Sequence, residues 1–192
     1  MGRLVLVRHA ESEGNRDGVF TRTGEVPLTD VGRQQARVAA ETVRRRCAVT
    51  GIVSSPFTRA RQTADILASI LVVPVRIEAD LRERSYGQLA GLPYAAAREC
   101  ADYDPATYWR WCPPGGETLV EVAARAGAVL DRIAGAVPDE DVAVVTHGAV
   151  LMAIRWHVTG SWNERRVVPN AGIVLVEHHD GRWLGAEPLE ER

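Results

Sequence analysis

Apolar residues in this chain come in short runs cut off by polar or turn-forming residues, and the runs alternate between strand-like and helix-like spacing. Leu4–Val7 is a continuous apolar stretch, β-branched at Val5 and Val7, and predicts a buried strand. Residues 8–28 are polar and carry Gly14, Gly18, Gly24 and Pro27, a loop pattern. Thr29 has the chemistry of an N-cap, and a helix is expected from about Asp30 to Arg46. Gly51-Ile52-Val53-Ser54-Ser55-Pro56 predicts a short strand ending at a turn, followed by a helix from Phe57 to Leu71. Val72–Ile77 predicts a third strand, and Pro74 gives it an edge or end position. Residues 80–116 are irregular and rich in Gly, Pro, Tyr and Trp, a length that usually serves function. Gly115-Gly116-Glu117-Thr118 precedes a helix through about Ala136, stopped by Pro138. Val142–Thr146 predicts a fourth strand, with a helix from Ala149 to about Val158 after it. Ile173–Glu177 is the last clear strand, and His178-His179-Asp180-Gly181 reads as a turn.

This alternation implies an α/β sandwich with a mainly parallel sheet. The 192 residues suffice for one sizeable core, so a single domain over 1–192 is expected, with a cap-like insertion at about 80–116. A net charge of −2 gives no reason to expect a nucleic-acid or membrane-surface partner. Every basic residue is Arg; the absence of Lys excludes a P-loop and Schiff-base chemistry. Cys47, Cys100 and Cys112 form no Cys-x-x-Cys pair, which suggests reduced thiols in the cytoplasm and neither a disulfide framework nor a zinc site. No apolar stretch reaches the ~20 residues of a membrane span, and the N-terminus enters a strand without a signal-peptide pattern.

Two strands end in the same way. Leu4–Val7 runs into Arg8-His9-Ala10-Glu11-Ser12-Glu13-Gly14-Asn15, and Val142–Val145 runs into Thr146-His147-Gly148-Ala149. Open α/β sheets place their ligands at the C-terminal strand ends. A histidine there is a nucleophile for phosphorus, and a neighbouring guanidinium holds phosphoryl oxygens. His147 precedes a helix, whose N-terminus favours an anion.

These residues resemble the histidine phosphatase superfamily, which includes cofactor-dependent phosphoglycerate mutases and related acid phosphatases. Arg8–Asn15 is similar to its Arg-His-Gly signature, with Ala10 in place of the usual Gly. Ser54–Ala64 resembles the second motif, Leu81-Arg82-Glu83-Arg84-Ser85-Tyr86-Gly87 the mobile acid-bearing segment, and Thr146-His147-Gly148 the last motif. The resemblance implies a three-layer α/β/α sandwich of the phosphoglycerate mutase-like kind and a metal-independent phosphomonoester hydrolase with no cofactor. It implies His9 as the nucleophile and Arg8, Arg59 and a protonated His147 as the clamp on the phosphoryl oxygens. Glu83 would protonate the leaving alkoxide and then activate water. Asn15, Thr21, Arg22, Tyr86 and Gly148 complete the expected substrate contacts.

Mutases of this superfamily carry a Lys shortly after the acid segment and an Arg-Arg pair in the insertion that follows. Here that stretch reads Leu92–Arg98 and then Tyr108-Trp109-Arg110-Trp111-Cys112, which favours a phosphatase over a mutase. A non-catalytic phospholigand-binding protein is a third reading, to which Ala10 lends some weight. Trp109 and Trp111 suggest a substrate with apolar or sugar-like surface. Arg61 is expected to bind a carboxylate along its helix, Glu117 to complement a helix dipole, and His157, His178 and His179 to lie outside the site. An exposed edge near Val72–Ile77 would permit a homodimer.

Overall fold

The alternation of side chains along each strand decides the layers. In the computed structural model, which describes residues 2–137, 139–163, 166–179 and 181–189, six strands form one sheet. They are β1 (Arg3–Arg8), β2 (Val49–Ser54), β3 (Val75–Ile77), β4 (Asp141–Thr146), β5 (Ile173–His179) and β6 (Arg182–Pro188), in the order β3-β2-β4-β1-β5-β6. β3, β2, β4 and β1 are parallel; β5 runs antiparallel to β1, and β6 to β5. The helices of the two outer layers are α2 (Asp30–Arg46) and α3 (Thr58–Leu71), then α5 (Leu119–Ala136) and α6 (Gly148–Thr159); α1 (Glu13–Arg16) and α4 (Ala96–Glu99) are single turns. Leu4, Leu6, Val142 and Val144 point to one face and pack on Val122, Ala126 and Leu130 of α5 and Ile154 of α6. Val5, Val7, Ala143 and Val145 point to the other and pack on Ala40 and Val43 of α2 and Ala64 and Leu67 of α3. The result is an α/β/α sandwich.

Helix starts follow local chemistry. The Thr29 hydroxyl accepts from Gly32 N to cap α2, and Thr118 and Glu121 form a capping box on α5. Three expectations change. β3 begins at Val75, because Val72 closes α3 in the left-handed region (φ 57°) and cannot extend a strand. β5 continues to His179, so His178 and His179 lie in a strand and pair with β6, which the sequence did not announce. The loop of residues 8–28 contains α1, capped by Ser12. Pro138, the expected helix stop, and Asp180, expected in a turn, lie outside the described residues. Residues 79–118 hold three short 3₁₀ turns and α4 and line the C-terminal edge of the sheet. No helix among the described residues is long and apolar enough to cross a membrane.

Candidate active site

Parallel pairing of β1 with β4 puts Arg8 opposite Thr146, so the residues after them emerge side by side. His9 N donates to Thr146 O at 2.8 Å, and the His9 and His147 rings lie 5.1 Å apart. β2, on the other side of β4, delivers Ser55, and the first turn of α3 delivers Arg59.

A hydrogen bond to a carbonyl fixes the state of the His9 imidazole, and a hydroxyl partners that of His147. His9 Nδ1 lies 2.7 Å from Ala10 O; a carbonyl only accepts, so Nδ1 carries the proton. Nε2 is then a bare lone pair and accepts from Arg59 Nε at 3.1 Å. Burial, together with Arg59 and Arg8, holds His9 well below the ordinary histidine range. His147 Nε2 lies 2.7 Å from Ser55 Oγ, which also accepts from Phe57 N. With the Ser55 hydroxyl donating to Nε2, the His147 proton sits on Nδ1. Burial, Arg59 and His9 hold His147 well below its ordinary value too, so it is neutral here and offers an N–H in place of the expected full charge. A bound phosphate dianion would favour the protonated form.

Among the described residues, three buried side-chain polar atoms have no hydrogen-bond partner: Arg8 Nε, Arg59 NH1 and His147 Nδ1. Arg8 and Arg59 line, with His9, one cavity of about 290 Å³; His147 is not in that lining, and its ring packs 5.1 Å from that of His9. Burial pulls both guanidinium groups below the ordinary arginine value, the mark of positive charge held out of water. Arg8 is held in place by Val168 O, 2.7 Å from its NH1. At Gly148 a Cβ would sit 3.4 Å from Arg8 Nε and 3.2 Å from Val167, so glycine keeps that side of the guanidinium clear. No three His, Cys, Asp or Glu side chains among the described residues gather into a metal-binding set. A larger groove of about 510 Å³ along α2 has no charged side chain in its lining.

Glu83 lines the same cavity, and its Oε1 accepts from Arg84 N at 2.9 Å. Burial raises its carboxyl above the ordinary 4.5, against the pull of Arg59 and Arg8. Thr21 and Tyr86 also line the cavity, and burial beside Glu83 keeps the Tyr86 phenol protonated. Asn15 sits at the wall with its amide engaged: Oδ1 accepts from Ser12 N and Asn170 Nδ2, and Nδ2 donates to Tyr94 OH. Arg22 lies outside this cavity, exposed beside Gly91 in a neighbouring groove. Ala10 has no positive φ and packs its methyl with Leu28 and Ala36, so the usual Gly is not required by the backbone.

Other expectations are corrected. Neither Trp109 nor Trp111 lines the cavity. Trp109 stacks on Trp162, ring centroids 5.9 Å apart, and Trp111 is buried with its indole N–H on Asp102. Tyr108, between them, lines the cavity in their place. Glu117 stands at the start of α5, next to the capping Thr118, and its structural role is wider than the helix dipole, because it pairs with Arg82 and Arg125. Arg61 is exposed and pairs with no carboxylate among the described residues. His157 bonds Asp131 and His178 packs on Trp183, away from the cavity. Ser55, Tyr94 and Asn170 were not anticipated. Ser55 carries the one usable signal, a polar residue at the end of a third parallel strand.

A histidine lone pair in one cavity with two buried guanidinium groups that keep unpartnered N–H atoms suits a phosphoryl group, whose transition state spreads charge over its oxygens. The model of the histidine phosphatase superfamily (branch 1) matches residues 4–187. The chain belongs to this superfamily. It is 34% identical over 190 residues to a metal-independent phosphoserine phosphatase of Arabidopsis thaliana, covering 94% of this chain and 78% of that one. It is 34% identical over 166 residues to a 2,3-bisphosphoglycerate-dependent phosphoglycerate mutase of Rhizobium etli, covering 81% and 79%. A mycobacterial glucosyl-3-phosphoglycerate phosphatase solved with VO3 superposes with a TM-score of 0.85 at 29% identity, covering 94% of this chain and 95% of that one. The sheet and helices of this histidine phosphatase are thus those of phosphoglycerate mutase-like phosphatases.

Proposed function

We propose that this histidine phosphatase hydrolyses small phosphomonoesters through a phosphohistidine on His9, without a metal. The observation that carries the reading is the set of buried, unpartnered donors Arg8 Nε, Arg59 NH1 and His147 Nδ1 beside the bare Nε2 of His9. In the first step the Nε2 lone pair forms a bond to phosphorus and the P–O bond to the alcohol breaks. The raised carboxyl of Glu83 gives its proton to the departing oxygen. In the second step water attacks the phosphohistidine and gives its proton to the Glu83 carboxylate. The P–N bond breaks, phosphate leaves, and both residues return to their starting states. Arg8 and Arg59 supply the charge that many phosphoryl-transfer enzymes draw from Mg²⁺. Thr21 and Tyr86 would touch the substrate, Gly148 would keep the oxygens' side of Arg8 open, and Asn15 would act through the loop it ties.

Hydrolysis is favoured over the mutase reading by the walls beyond the clamp. Among the described residues they include Val19, Phe20, Leu119, Met152 and Val167 beside Thr21, Tyr86, Tyr94 and Tyr108. Among the described lining residues the one further cation, Arg84, is spent on Glu117 O and Trp111 O. The reading extends to one domain acting in the cytoplasm on small molecules, with three free thiols and a near-neutral charge in support. The test is phosphate release from a panel of phosphomonoesters in excess EDTA, with isomerisation of 3-phosphoglycerate followed in parallel with added 2,3-bisphosphoglycerate. Release without isomerisation is expected. Isomerisation with little release would make it a mutase, and neither activity would leave a binding protein.

A further inference from the structure

We propose that Arg125 and Glu117, an ion pair outside the cavity, are positioning residues for Glu83. The inference rests on the reading of Glu83 as the proton donor. A proton donor works only within hydrogen-bond reach of its acceptor, yet Glu83 lies on a segment with no strand or long helix to hold it. The segment is held from α5 instead. Arg125 NH1 donates to Asp80 O at 2.6 Å and to Arg82 O at 2.8 Å, and NH2 reaches Glu83 O at 3.3 Å. Glu117 accepts from Arg125 Nε and NH2, each at 3.0 Å, and from Ser85 N at 2.8 Å. One ion pair therefore fastens backbone groups before, at and after Glu83.

The frame behind that pair is rigid. Val122, Ala126 and Val129 of α5 are fully buried against the sheet. Thr146 Oγ1 donates to Leu81 O at 2.8 Å, so the acid segment is also tied to the strand end that bears His147. Arg84 closes the far side through Glu117 O and Trp111 O, with its guanidinium between the Tyr86 and Trp111 rings. The charges that act most on the Glu83 carboxyl are Arg59 and Arg8, so Arg125 serves by geometry. A lysine at 125 would keep the charge but not the planar fork that reaches three carbonyls and a carboxylate.

The experiment compares kcat/KM for two esters, a readout limited to the steps through phosphorylation of His9. Glycerol 3-phosphate has an alkoxide leaving group that needs a proton. 2,4-Dinitrophenyl phosphate has one that leaves without it. E83Q sets the reference, with a loss of about 10²–10⁴-fold on the alkyl ester and little on the aryl ester. R125K and E117Q are expected to lose roughly ten- to hundredfold on the alkyl ester and less than about threefold on the aryl ester. Equal losses on both esters, or none, from these two variants while E83Q stays selective would overturn the positioning role alone. An unselective E83Q would overturn the acid assignment and this inference with it. The two variants break the pair from opposite sides, so one that melts like the wild type suffices if the other does not fold.

Discussion

β1 and β4 are parallel neighbours, and their two ends are built on opposite plans. At the start, Arg3 meets Asp141 through two hydrogen bonds, Nε to Oδ1 at 3.0 Å and NH2 to Oδ2 at 2.5 Å, and Ala48 N donates to the same carboxylate at 3.0 Å. Opposite charges are paired and every oxygen is used. At the finish, Arg8 and Arg59 crowd two histidines, and three buried N–H groups lack a protein partner. Unpaired buried donors cost stability, so this end carries a penalty that an anion would relieve. The same two strands thus hold a structural lock at one end and a cationic receptor with unpaired donors at the other.

Removing the nucleophile should give the largest effect. His9→Ala is expected to cut phosphate release by roughly four orders of magnitude or more while leaving the melting temperature near that of the wild type. Asp141→Asn should do the reverse. It keeps turnover and loses about 1–3 kcal/mol of stability, because one side of the Arg3 pair is neutralised. A loss of turnover in Asp141→Asn, or unfolding in His9→Ala, would break the division between the two ends.

Arg59→Met sharpens it. One preorganised donor is worth about 10²–10³ in rate at sites of this kind, and that loss is expected in kcat/KM. Stability should hold or rise, because a desolvated guanidinium with an orphaned NH1 is exchanged for an apolar side chain. Inorganic phosphate near 100 times its Kd should stabilise the wild type by about 2.7 kcal/mol and the variant by far less. A marked fall in the variant's melting temperature would mean that Arg59 holds the fold and not the ligand.

The two ends also differ in how legible they are. The strands themselves and Arg8, His9 and His147 are readable because apolar runs that stop at such residues announce both the core and the place where the core ends, whereas Arg59, inside α3, was assigned through the resemblance of Ser54–Ala64 to the second motif. Glu83 was identified only through the motif around it, since Arg82-Glu83-Arg84 taken alone is an ordinary charged run. What lay hidden depends on contacts distant in sequence. Trp109 and Trp111 looked like substrate surface, but only the fold reveals that Trp109 faces Trp162. Glu117 was expected only to complement a helix dipole and Arg125 was not singled out; their part shows once the acid segment is seen folded over them. β6 was missed because Gly185 and Pro188 weaken its strand signal, which an edge strand tolerates.

The smallest effect is also the sharpest contrast, because the two ends should respond to pH with opposite sign. Despite burial, which raises it, Asp141 sits below its ordinary 3.8 through Arg3 and Ala48 N. Its stabilisation is fully present above the unfolded value and is lost as pH falls through the lower folded one. The stability gap between wild type and Asp141→Asn should therefore be constant above about pH 5 and shrink below 3.8. Glu83 is shifted the other way: the folded state binds its proton more tightly than the unfolded chain. Relative to Glu83→Gln, the wild type should lose stability as pH rises from 4.5 through the raised folded value, and remain level beyond it. Denaturant melts of both pairs from pH 3 to 8 read the two signs directly. The same sign in both would mean that Glu83 is held as a carboxylate by Arg8 and Arg59, and the cavity would then hold its acid in the wrong state to protonate a leaving group.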